Sequence, residues 1–365
     1  MPIDLPPGHF FLPGPTEVHR DVLSAQVRPM IGHRGRAIQD LLASLQGGLK
    51  QVFITEQPVI VSTSSATGLM EAAVRNGVAG GRVLSLVNGA FSARFSEIAM
   101  ACGHETEVWA VDWGGFHDPE DLDERLARGG FDAVTITHSE TSTGALQDLA
   151  AIAEVVRRHE GVMLLVDSVT GVAGTEVRTD DWGLDFVLTG SQKALALPPG
   201  LSFAVASSAM LDRSAQATDK GYYFDLVPLV KALENFQTPS TPAISLLYAL
   251  EKQLERVLAE GIEQRWARHA AMQTATLDWV DDMRASGVDV GVFAPPGHRS
   301  PTVTCITLPE GVSGPSVVGA MRERGWVIGG GYSRLKETTV RIGHMGDHGL
   351  DNLGQLLDSL GEVLR

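Results

Sequence analysis

TGSQKALALPPG, residues 189–200, decides how the rest of the chain is read. It follows the apolar, strand-like Phe186–Thr189 and sets Lys193 among small, turn-forming and apolar neighbours. A lysine in such a place costs desolvation unless it is paired or covalently used. Partial burial lowers its pKa and leaves a nucleophilic amine. The chemistry that needs such an amine is Schiff-base formation with an aldehyde. The alternative is an ordinary loop lysine whose head reaches water, so the neighbouring segments must decide.

Moving towards the N-terminus, VMLLVDSVTG (162–171) runs an unbroken apolar stretch into Asp167. That is the C-terminal end of a parallel strand, where open α/β sheets bind ligands. A carboxylate there can pair with a protonated ring nitrogen, as pyridoxal phosphate requires; a helix N-cap or turn is the other reading. Earlier still, Ser65-Ala66-Thr67-Gly68 lies between the apolar run Val59–Val61 and a helical stretch. Small residues there let a phosphate reach the N–H groups of a helix N-terminus, though an ordinary capping turn has the same composition. The chain has no GxxxxGK[ST] and no well-placed GxGxxG, so a nucleotide loop is not supported.

The same alternation extends outward. Helical spacing over residues 38–53 is followed by strand-like and helical runs in turn: 83–87, 91–100, 107–111, 133–137, 149–158 and 162–166. Asp118 suits an N-cap with Pro119 at the first helical position. Short apolar strands alternating with helices predict an α/β fold, a mostly parallel sheet with helices on both faces. After residue 240 come two long helical stretches, 243–258 and 262–284, the second read from its mixed charges as a solvated face. An α+β tail follows, with strands at 302–308 and 338–342 and helices at 316–324 and 350–364. The expected division is a proline-rich extended arm over residues 1–15, a large domain over 16–258 and a small C-terminal domain over 259–365.

At 365 residues, two domains are the default. The 29 basic and 44 acidic groups give a formal net charge of −15, which disfavours nucleic acid and anionic membrane surfaces as partners. Two cysteines, Cys102 and Cys305, support neither a disulfide framework nor a cysteine-based zinc site. The N-terminus lacks a signal-peptide pattern and no apolar run reaches membrane-spanning length. A soluble, cytoplasmic protein is the expectation.

In their order and spacing, these segments resemble the class V (fold type I) pyridoxal-phosphate-dependent aminotransferases, in the alanine–glyoxylate/serine–pyruvate branch. The resemblance runs through PGPT (13–16), HRGR (33–36), SSATGLMEA (64–72), VNGAFSARF (87–95), HSETSTGALQ (138–147), DSVTG (167–171), TPAISLLYAL (241–250) and VRIGHMGD (340–347). It implies a seven-stranded, mostly parallel sheet in the large domain, a small C-terminal α+β domain, and a homodimer with shared active sites. Lys193 then resembles the lysine that holds the cofactor and moves protons, and Asp167 the partner of its ring nitrogen. Phe91 matches an aromatic stacked on the ring, and Thr141 a hydroxyl at its substituents. Ser65, Ala66, Thr67 and Gln192 match the phosphate site, although SSAT replaces the Gly-rich stretch often found there. The resemblance gives Thr241, more than Thr238, to the partner subunit's phosphate site, and Arg341 to the substrate α-carboxylate.

The resemblance implies transfer of an amino group from a small amino acid, alanine or serine, to glyoxylate or pyruvate by a ping-pong mechanism. Phosphoserine or another acidic donor is the alternative within the enzyme class, with Arg34 and Arg36 as the cations to meet it. A non-catalytic protein of the same fold is the alternative outside it. Cys305 reads as a small buried hydrophobe, and His344, Asp347 and His348 as a turn, so no metal is expected.

Overall fold

The structure is a computed structural model and describes residues 6–365. Its larger sheet has seven strands, in spatial order Val59–Ser62, Ser202–Ala206, Phe186–Gly190, Met163–Asp167, Phe131–Thr137, Arg82–Val87 and Thr106–Ala110. The four central strands Phe131–Thr137, Met163–Asp167, Phe186–Gly190 and Ser202–Ala206 are almost entirely buried, as continuous apolar runs covered on both faces should be. All neighbours pair in parallel except around Ser202–Ala206, which is antiparallel to both of its partners.

That antiparallel strand is absent from the sequence reading. Five buried residues behind a Pro-Pro-Gly turn carry neither a 2.0 nor a 3.6 period, so periodicity has nothing to detect. It matters for the site, because Gly190 pairs with Ser202 and the Lys193 segment becomes the connection between two antiparallel strands. Ser191 N–H donates to the Leu201 carbonyl and Leu197 N–H to the Ser191 carbonyl, both at 3.0 Å, which closes the loop at its base. Asp118 caps the helix Pro119–Leu126 by accepting from Glu120 N–H, with proline at the start of the helix as its sequence requires.

The small C-terminal α+β domain is built on a five-stranded sheet in the order Phe10–Phe11, Val327–Gly330, Thr339–Ile342, Thr304–Thr307 and Gly291–Val292. The N-terminal arm supplies the edge strand: Phe10 and Phe11 pair in parallel with Val327 and Ile328. Phe11 is buried and stacks on the His348 ring at 4.0 Å. Helices Ile262–Ala285, Gly314–Glu323 and Leu350–Leu364 accompany this sheet; Met272, Met321, Leu353 and Leu356 join its core.

The helix Ile262–Ala285 corrects one expectation. It is not a solvated face: Arg265, His269, Met272, Thr276, Val280 and Met283 form a buried stripe at spacings of three and four. Polar residues on the inner side hide this from any hydrophobic pattern. Arg265, 1% exposed, donates to Glu260 (2.9 Å), Asp347 (2.9 Å) and the Ala194 carbonyl (2.7 Å). His269 lies between the carbonyls of Gly174 and Gly346, at 2.9 and 3.1 Å. Removing one member of a buried ion pair strands the other charge, at a cost of about 3–5 kcal/mol. Arg265→Met is expected to destabilise the protein by about that amount in urea unfolding. A loss under about 1 kcal/mol would mean that Arg256 and Gln253, the other partners of Asp347, suffice. Among the described residues, no helix is long and apolar enough to cross a membrane.

Candidate active site

The strands Val59–Ser62, Phe131–Thr137, Met163–Asp167 and Phe186–Gly190 end on one edge of the sheet, and the loops beyond them converge there. Eight residues named from the sequence line one cavity of about 80 Å³: Ser65, Ala66, Thr67, Phe91, Thr141, Asp167, Gln192 and Lys193.

Lys193 is 8% exposed, and its Nζ donates to the Pro13 carbonyl at 2.6 Å. Burial, and secondarily the Arg341 cation, depress its pKa to about 8. The residue covering it must be glycine. Gly14 has φ +117°, and a Cβ there would come within 2.5 Å of Lys193 Cδ, Cε and Nζ. Thr16 N–H donates to the Gln192 carbonyl at 2.9 Å, so the arm is tied to the lysine loop on both sides of that glycine.

Asp167 is 2% exposed. Oδ1 accepts from Val169 N–H at 2.9 Å and Oδ2 from the Thr137 hydroxyl at 3.3 Å. Burial pushes its pKa up to about 7, the two hydrogen bonds offsetting only part of the effect. A buried carboxylate held by neutral donors alone is poised to share a proton with a buried base. The Phe91 ring centroid is 5.8 Å from Lys193 Nζ and 5.3 Å from the ring of Tyr332. Thr141 Oγ1 is 2.5 Å from Thr170 Oγ1.

Arg341 is half-buried on the strand Thr339–Ile342. Nε donates to the Gly330 carbonyl (2.8 Å) and Nη1 to the Thr141 carbonyl (3.1 Å). It makes no ion pair with the described residues; it does not itself line the Lys193 cavity but stands behind Thr141, which does. Burial lowers its pKa.

Thr241 is not brought to Lys193 within one chain. Together with Thr238 it lines a separate cavity of about 160 Å³, bordered by Ser62, Thr63, Tyr222 and Tyr223. Arg34 holds this loop by donating to the carbonyls of Thr238 (2.7 Å) and Pro239 (3.0 Å). Arg36 is exposed and bonded to Asp40 at 2.7 Å. Neither cation lines the Lys193 cavity.

Two charged residues at the site escaped the sequence reading. Arg94 lines the cavity with its guanidinium 5.0 Å from the Phe91 ring; the i, i+3 spacing from Phe91 was the available signal. Glu140 lies fully buried just behind the wall, next to Thr141 in HSETSTGALQ. The other polar residues have structural partners. His344 meets Thr304 Oγ1 at 2.9 Å, Asp347 binds Arg265, and His348 reaches the Phe10 carbonyl at 2.9 Å. Burial raises the Cys305 thiol to about 11.

Residues 16–342 match the family Aminotransferase class-V. An uncharacterized aminotransferase of Methanocaldococcus jannaschii is 38% identical, covering 95% of this chain and 90% of its own. Among solved structures, a subgroup IV aspartate aminotransferase from Thermus thermophilus superposes with a TM-score of 0.88 at 35% identity, covering 97% of this chain and 98% of that one. An alanine–glyoxylate aminotransferase from Nostoc sp. reaches a TM-score of 0.92 at 30% identity, covering 100% and 97%. With this agreement over nearly the whole length, the chain belongs to the class V aminotransferases.

Proposed function

We propose that this aminotransferase works as a homodimer with pyridoxal 5′-phosphate, moving the amino group of alanine or serine to glyoxylate or pyruvate in a ping-pong sequence. The observation that carries the reading is a single cavity where a buried amine, a buried carboxylate and an aromatic face meet: Lys193, Asp167 and Phe91.

The residues present fit the cofactor. Asp167 has neutral donors only, and a protonated ring nitrogen is the counter-charge it lacks. Ser65 makes no side-chain cap bond to the helix Ala66–Gly77, so the N–H groups of that first turn, with Thr67 and Gln192 beside them, can hold a phosphate. When bound, the cofactor supplies an aldehyde for the amino group and a ring that withdraws electrons from the substrate α-carbon.

The chain does the rest. Arg341 receives the substrate carboxylate on its free N–H groups and so orients the α-carbon. Lys193 Nζ, depressed to about 8, takes and returns the α-proton near neutral pH. Asp167 holds a proton at the ring nitrogen. Pro13 and Gly14 keep water from the amine side. Thr241 of the partner subunit completes the phosphate site, from a loop that Arg34 holds in place. The first keto acid would leave before the second enters the same cavity, the donor's amino group being kept meanwhile on the bound cofactor and then passed to the second.

The Nostoc relative's name supports a small donor. A second reading, an acidic donor, is favoured by Arg94: among the described residues its one hydrogen-bond partner is the Tyr332 hydroxyl at 3.3 Å. The Thermus relative's name points the same way. The test mixes the cofactor-loaded enzyme with alanine, serine, aspartate or phosphoserine and follows bleaching of the visible band. Alanine and serine are expected to react fastest. An acidic donor that outpaces them, and whose reaction alone collapses in Arg94→Gln, would establish the second reading.

A further inference from the structure

Glu140 is a carboxylate removed completely from water, 0% exposed, in the short strand Ser139–Glu140 beyond the C-terminal end of Phe131–Thr137. A buried charge persists only if donors replace its hydration. Here they come from two separate segments. Oε2 accepts from the N–H groups of Phe91 (3.0 Å) and Ser92 (2.9 Å) and from the Ser92 hydroxyl (3.0 Å), in the first turn of the helix Ala90–Ala101. Oε1 accepts from the N–H (3.1 Å) and hydroxyl (2.6 Å) of Ser142. The fit leaves no slack, since a Cβ on Gly89 would lie 2.4 Å from Glu140 Cγ.

Each clamped segment carries part of the cavity. The helix turn presents Phe91 and, one turn on, Arg94. The 140–142 loop presents Thr141, whose carbonyl also accepts from Arg341. Glu140 does not line the cavity, yet it joins the stacking wall to the segment on which the carboxylate-binding arginine rests.

We propose that Glu140 is a positioning residue that sets the Phe91 face and the Thr141–Arg341 contact relative to each other. The proposal rests on the aminotransferase reading of the cavity. Its physical content is that the two oxygens of one carboxylate accept from both segments at once. Glutamine cannot satisfy all of them, because whichever way its amide is turned the NH₂ faces a main-chain N–H, of Phe91 and Ser92 or of Ser142, and only the serine hydroxyls can turn to accept. One segment must then withdraw, and a displacement of about 1 Å at a site of this kind can lower turnover about 10²-fold.

The experiment uses cofactor-loaded Glu140→Gln and Gly89→Ala, the second pressing on the carboxylate from the other side. Both are expected to raise KM for amino acid and keto acid together, through Arg341, and to lower kcat/KM about 10²-fold. Both should also alter the visible circular dichroism of the bound cofactor, through Phe91. A merely structural glutamate would lower Tm but leave KM and the dichroism at wild-type values below the transition, and that result overturns the proposal. Should Glu140→Gln fail to fold, Gly89→Ala, whose Cβ would press on Glu140 Cγ, decides in its place. A raised KM with altered dichroism supports the proposal, and wild-type values overturn it. Wild-type enzyme without transamination would instead refute the functional reading beneath it.

Discussion

Lys193→Ala is expected to lower turnover by more than about 10⁴-fold while leaving a folded protein that still holds cofactor non-covalently. The lysine is at once the covalent anchor and the base, so alanine removes both roles. The fold should tolerate the change, because the amine's hydrogen-bond partner is one carbonyl, that of Pro13. Phosphate and ring contacts come from other segments: Ser65 to Thr67, Phe91, Asp167 and Gln192. Borohydride reduction of the wild-type holoenzyme, followed by peptide mapping, should place the cofactor on residue 193. A label on Lys220 or Lys231 would end the assignment. Both are poor candidates: Lys220 is engaged by Asp225 at 3.1 Å, and Lys231 is exposed.

Asp167→Asn is the second large effect. Asparagine keeps the side-chain shape and can accept from Val169 N–H, but it cannot balance a ring N–H⁺. Preorganised electrostatic contacts of this kind are worth about 3–4 kcal/mol, so kcat should fall about 10²–10³-fold, with a smaller loss of cofactor affinity. A variant within threefold of wild type would reduce Asp167 to a turn residue.

The cofactor-free protein offers an independent check on the same carboxyl. Its folded pKa is raised from 3.8 to about 7 by burial. Between those values the native state keeps a proton that the unfolded chain has released. Stability from this group is therefore greatest below pH 4 and declines as pH rises through about 7. Asp167→Asn should flatten that limb of the urea-unfolding profile, and an unchanged slope would assign it to other groups.

Much of the site was legible because it is local. Lys193 lies three residues beyond the end of a buried strand, Asp167 ends another, and Ser65 to Thr67 open a helix. In each case strand pattern and residue type stand within a few positions of one another, and an open α/β sheet carries such ends to one edge. The helix Leu350–Leu364 was equally plain, with buried leucines at 353, 356, 357, 360 and 364.

What escaped depends on partners far along the chain. The helix Ile262–Ala285 reads as solvated until Arg265 finds Asp347 and the Ala194 carbonyl, 82 and 71 positions away. Glu140 is one acidic residue among many until the first turn of a helix 48 positions earlier donates to it.

Local pattern was enough for the α/β class, the strand ends that bear Lys193 and Asp167, and the type of chemistry those side chains offer. Which carbonyl covers the amine, which carboxylate joins Phe91 to the Thr141 segment, and that Arg94, and not Arg34 or Arg36, faces the cavity emerge with the folded chain. The reason is physical. Hydrophobic period and turn chemistry are written within one or two turns of chain. Satisfaction of a buried charge depends on donors that only the folded chain brings within 3 Å.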